Sequence, residues 1–138
     1  MAGSQLTRPY HAGAAGAPSV AEAEILFSDA AARVLIATVP AGAVILRAWV
    51  QVKTAFNAGT SNLVTVGSGA IGGGTAADYV AAVTEGTPAV YDGVGSPVPF
   101  AALAAATDVY VYYTPGATGA TTGKAHAFIE FVRTAANG

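Results

Sequence analysis

The segment Gly67-Ser68-Gly69-Ala70-Ile71-Gly72 has the spacing of a dinucleotide-binding loop, with Asp92 at a distance suited to a ribose hydroxyl. That chemistry needs a strand feeding a long helix, so that pyrophosphate rests on the helix N-terminus. Here the glycines lie among turn-separated strands, no lysine follows to make a P-loop, and in a chain with 17 glycines such a match carries little weight. His11 and His126 are the imidazoles, one in a Pro/Gly-interrupted N-terminal stretch and one on a strand face. No serine occupies a GxSxG elbow, so an acyl-transfer triad has no anchor. Among the acids, Glu22 and Glu24 stand two apart, but their neighbours supply no further metal ligand. The chain has no cysteine, which removes disulfides and thiolate metal sites. These residues predict no enzyme, no cofactor and no metal.

What the sequence does repeat is a large aromatic among polar residues on one side of a strand. From Val44 to Lys53, strict alternation puts Val44, Leu46, Ala48, Val50 and Val52 on one face and Ile45, Arg47, Trp49, Gln51 and Lys53 on the other. Near the C-terminus, Ala125, Ala127, Ile129 and Phe131 form a core face, leaving Lys124, His126, Phe128 and Glu130 outward. Tyr110 and Tyr112 share a face with Asp108. Several outward aromatics imply a covered surface, so Trp49, Tyr110, Tyr112 and Phe128 are the predicted subunit-interface residues.

Those residues must be held by strands. Arg33 to Lys53 reads as two antiparallel strands joined by a tight turn at Pro40-Ala41-Gly42, where proline removes a donor and glycine permits a positive φ. Asp108 to Thr114 and Lys124 to Arg133 read as a second hairpin across a Gly/Thr-rich turn. Val20 to Phe27, Leu63 to Val66 and Pro88 to Tyr91 supply further strands, and Thr75 to Val83 reads as a short helix with Thr75 as its cap. The total of about seven or eight strands predicts an all-β, antiparallel β-sandwich or jelly roll. Residues 1–18, interrupted by Pro9 and Pro18, read as an extended arm before a single domain over 19–138, with Arg8, Tyr10 and His11 as its anchoring residues.

Composition narrows the function classes. At 138 residues and 53% hydrophobic the chain can bury one core. Charged residues are 10%, against roughly 25% in ordinary soluble domains. A membrane protein or a subunit covered by neighbours would explain this. No stretch reaches the ~18 apolar residues of a spanning helix, and long strands are too few for a membrane barrel. A net charge of −2, with six scattered basic residues, argues against nucleic-acid binding. Residues 1–18 lack a basic region followed by an apolar core, so no secretory signal is read.

The pieces Val39-Pro40-Ala41-Gly42-Ala43-Val44-Ile45, Val52-Lys53-Thr54-Ala55-Phe56-Asn57 and Leu63-Val64-Thr65-Val66-Gly67 resemble a pattern of small structural proteins of tailed bacteriophages. The closing strands, Asp108 to Thr114 and Lys124 to Val132, fit the same pattern in the same order. The resemblance implies a head decoration protein on the outside of a capsid, cementing major capsid protein subunits, commonly as a homotrimer with an N-terminal arm across the shell. It implies residence in the virion, and in the host cytoplasm during assembly, with no catalytic residue. Head fibres and tail-associated proteins share such sandwiches. A competing expectation is a carbohydrate-binding β-sandwich with Trp49, Tyr110 and Tyr112 stacking on sugar rings.

Overall fold

The computed structural model describes residues 17–30, 32–69, 79–84, 88–92 and 102–133. The proposed arm residues Arg8, Tyr10 and His11, and the first part of the predicted helix, lie outside them. Eight strands are described: β1 (Pro18–Leu26), β2 (Arg33–Val39), β3 (Val44–Thr54), β4 (Asn62–Gly67), β5 (Val80–Thr84), β6 (Val90–Asp92), β7 (Thr107–Pro115) and β8 (Lys124–Val132). A single 3-10 turn, Phe27–Asp29, follows β1. The strands form two four-stranded sheets in the orders β1-β8-β3-β6 and β2-β7-β4-β5, with every paired strand antiparallel. The expected β-sandwich is present, and this strand order is that of a jelly roll.

Both predicted hairpins are corrected by this topology. β2 and β3 belong to different sheets, as do β7 and β8. The turn at Pro40 does form, with Ala43 N donating to Pro40 O at 3.2 Å and Gly42 at φ 82°. It is a corner between sheets rather than a hairpin. Ile36 and Val39 on β2 belong to the same core as Ile45, Ala48 and Val50 on β3, reached from opposite sheets: β2 packs across from β1, and β3 across from β4 and β5. Leu103 pins the corner, accepting from Gly42 N at 2.8 Å and donating to Ala43 O at 2.9 Å.

Strict alternation also fails twice along β3, at Leu46 and again at Lys53, where the pairing with β8 shifts between Val52 and Thr54. The earlier shift falls between Ile45 and Arg47, so one residue, Leu46, is left over in a bulge. The parity of the strand changes there. Ile45 is buried at 2% exposure, contrary to its predicted outward place, while Val44 and Leu46 are only half-buried. Between the two shifts the prediction holds, with Ala48, Val50 and Val52 inward. On β8, Ala125, Ala127 and Ile129 are fully buried, and Phe131 packs at the core edge. On β1, Glu22 and Glu24 are exposed and Ile25 is buried.

The helix predicted over Thr75 to Val83 is contradicted at its C-terminal end, since Val80–Thr84 is strand β5. Its register places Leu63 opposite Thr84 and Val66 opposite Val80. Alanine favours helix only weakly, and the ladder offered by β4 to the β-branched Val80 and Val83 overrides that preference.

Candidate interaction surfaces

Among the described residues, the outer face of the β1-β8-β3-β6 sheet holds the largest group of charged side chains, several of them cross-strand neighbours. Trp49 lies directly opposite Phe128 across the β3–β8 ladder, and the rings stack at 5.1 Å with an 11° interplanar angle. The Arg47 guanidinium sits 4.3 Å above the Trp49 ring, a cation–π contact, and Arg47 is in register with Glu130. At the edge, His126 stands between two glutamates of β1, with Nδ1 3.3 Å from Glu22 Oε2 and Nε2 3.0 Å from Glu24 Oε2. Lys124 Nζ lies 4.0 Å from Glu24 Oε2. Both ring nitrogens therefore face carboxylates that tie the edge strand to β8, a structural use of the histidine. Val20 and Val90, on the two edge strands, are exposed at 57% and 58% and leave apolar surface beside this charged face.

The outer face of the second sheet carries a smaller network. Tyr110 OH donates to Asp108 Oδ2 at 3.3 Å, and Thr38 Oγ1 donates to Asp108 Oδ1 at 2.6 Å. Arg33 covers the Tyr110 ring at 4.0 Å and donates from Nη1 to Gly69 O at 3.3 Å. Tyr112 shares this face but is 2% exposed, which corrects its predicted exposure. It sits on the central strand β7, in register with Arg33 of β2 and Thr65 of β4, so neighbours flank it on both sides.

The four predicted interface aromatics are thus not brought together. Trp49 and Phe128 form one stack, Tyr110 lies on the opposite outer face, and Tyr112 is buried. A sugar platform that combines Trp49 with Tyr110 and Tyr112 has no geometric basis in this sandwich. Among the described residues, no three His, Asp or Glu side chains are grouped to hold a metal ion. No described helix is long and apolar enough to cross a membrane. The glycine run begins on β4 at Gly67 and continues beyond residue 69, outside the described residues.

Sequence reading missed a densely bonded surface, where the β3–β4 loop meets the β7–β8 loop. Asn57 Oδ1 accepts from Thr121 N at 2.8 Å and Thr122 N at 3.0 Å, while its Nδ2 donates to Thr121 Oγ1 at 2.9 Å. Gly59 N donates to Thr118 O at 3.1 Å, Ala117 N to Thr60 Oγ1 at 2.9 Å and Gly116 N to Ser61 O at 2.7 Å. Beneath them, Asn62 Oδ1 accepts from Ala58 N at 2.8 Å and Tyr113 OH at 2.7 Å. Phe56 packs on Tyr113 with centroids 4.4 Å apart. The signal was the pair of asparagines in the run Asn57-Ala58-Gly59-Thr60-Ser61-Asn62, a residue type that substitutes for backbone partners in turns. Asn57→Ala is expected to lower stability by about 1–2 kcal/mol, read from the urea midpoint, because it removes one donor and leaves two loop amides without their acceptor.

No protein-family model matches this chain, and no curated protein matches it by sequence. The solved structures that share its fold include chains from three phage capsids. A chain in the acidic stable capsid structure of Helicobacter pylori bacteriophage KHP30 superposes with a TM-score of 0.63 at 13% identity, covering 86% of this chain and 89% of that one. A chain of the cyanophage Pam1 capsid asymmetric unit gives 0.62 at 18% identity, covering 91% and 90%. A chain in the capsid of Ralstonia phage GP4 gives 0.60 at 20% identity, covering 89% and 88%.

Proposed function

We propose that this chain is a non-enzymatic structural protein of a bacteriophage virion, which decorates the outside of the capsid and bridges major capsid protein subunits as a homotrimer. The observation that carries this reading is the near end-to-end similarity of its sandwich to chains found in three phage capsid structures. The low charge content supports it, since a subunit covered on several sides needs few charges to stay soluble. The Trp49–Phe128 stack, flanked by exposed Val20 and Val90, is the proposed contact between copies, with Tyr110 on the other face as a second contact. A cyclic arrangement of three copies closes on itself and limits growth. Arg8, Tyr10 and His11 are proposed to contact the shell. Repeated around a lattice, weak individual contacts add by avidity.

Two measurements test this. Light scattering on the purified protein is expected to give the mass of three chains. Mass spectrometry of purified virions is expected to find the chain in a ratio fixed to the major capsid protein. A clean monomer removes the proposed copy-to-copy contact, and absence from virions removes the capsid role.

A further inference from the structure

We infer that the paired loops 55–61 and 116–122 form a pre-ordered, charge-free docking end that seats this protein on an uncharged patch of the capsid shell. The inference rests on the capsid reading above and names which end of the sandwich makes the contact.

Three observations carry it. First, residues 55–62 and 115–123 contain no charged side chain, whereas the outer face of the β1-β8-β3-β6 sheet holds Glu22, Glu24, Arg47, Lys53, Lys124 and Glu130. Burying these two loops against a partner therefore strips water from no ion within them, the bordering charges being Asp29, Lys53 and Lys124. Second, hydrogen bonds run between the two loops from Ala55–Thr122 to Ser61–Gly116, so the surface is already ordered and little conformational entropy is lost on contact. Third, apart from Asn57 the exposed residues of the loops are small, among them Gly59, Thr60, Ala117, Thr118, Gly119 and Thr121. A partner's backbone can approach them closely and bond to hydroxyl and amide groups. Phe56 and Tyr113 are buried at 3% and 2%, so no aromatic platform is offered and a protein surface fits better than a glycan.

Gly119 supplies the test, because a Cβ built there meets no atom within 4 Å and the fold should accept a side chain. Gly119→Arg and Ala117→Glu place opposite charges on the docking end. Ala104→Arg, exposed beside Leu103 at the far end of the sandwich, is the control. Each is mixed with virion shells lacking this chain and sedimented, after its melting temperature and solution mass are confirmed unchanged. Both loop variants are expected to bind at least about tenfold more weakly, and the control to bind as wild type. Wild-type binding is expected to change less than about threefold from low salt to about 0.5 M NaCl, since no ion pair is screened. Wild-type affinity in either loop variant, or a steep salt dependence, overturns the inference while leaving the capsid role intact. Failure of the wild-type chain to bind shells overturns the capsid role itself. Retention of wild type on host surface polysaccharide, lost in Gly119→Arg, overturns the inference in favour of a glycan ligand.

Discussion

Replacing Gly123 with alanine is expected to destabilise the protein by about 3–5 kcal/mol, a large part of the total stability of a domain this size. Gly123 has a φ of 146°, a region that residues with a Cβ rarely enter. A Cβ placed there would stand 2.7 Å from Phe56 Cε2 and closer still to Cγ and Cδ2. Phe56 has no room to retreat, being 3% exposed and packed on Tyr113. The backbone is held as well, since Gly123 O accepts from Phe27 N at 3.1 Å. Backbone strain and overpacking each contribute about 1–3 kcal/mol, and here they act on the same atoms. The measurement is the urea midpoint at constant m value, with Gly119→Ala as a control that should change little. A loss below about 1 kcal/mol for Gly123→Ala would show that Phe56 repacks freely and that this end of the sandwich is softer than its bonding implies.

The second large effect separates the two faces of one strand. Ile129 is fully buried on β8, in register with Ala21 of β1 and Ala48 of β3. Its neighbours in both directions are alanines, so the isoleucine fills space they leave and no larger side chain can move in. Ile129→Ala is expected to cost about 3–4 kcal/mol, from lost burial and from the cavity left behind. Phe128, one residue earlier, points outward onto Trp49, and its truncation should cost about 1 kcal/mol in the isolated chain. The proposed copy-to-copy contact gives Phe128→Ala a second readout, a fall in solution mass without a matching fall in monomer stability. Similar stability losses in both variants would mean that the faces of β8 are not distinguished as described.

The sequence by itself determined which residues form most of the strands and, along β1, β8 and the later half of β3, which way they face. A period of two is a local property, imposed by the pleat and legible from side-chain polarity alone. The absence of cysteine, the low charge and the placement of Glu22 with Glu24 on one side of β1 are equally local. Only the tertiary structure decided that Pro40-Ala41-Gly42 turns a corner between sheets. A turn sets the chain's reversal, whereas the choice of hydrogen-bond partner is made by strands far away: β8 takes both β1 and β3, and β7 takes both β2 and β4. The same dependence on distant strands produced the bulge at Leu46 that turns Ile45 inward, and the burial of Tyr112 between two neighbouring strands. It also split the aromatics between opposite faces and brought Asn57 to Thr121 across 64 residues of chain. Such contacts are fixed by which faces can be buried together around one core, a condition that no single stretch of sequence states.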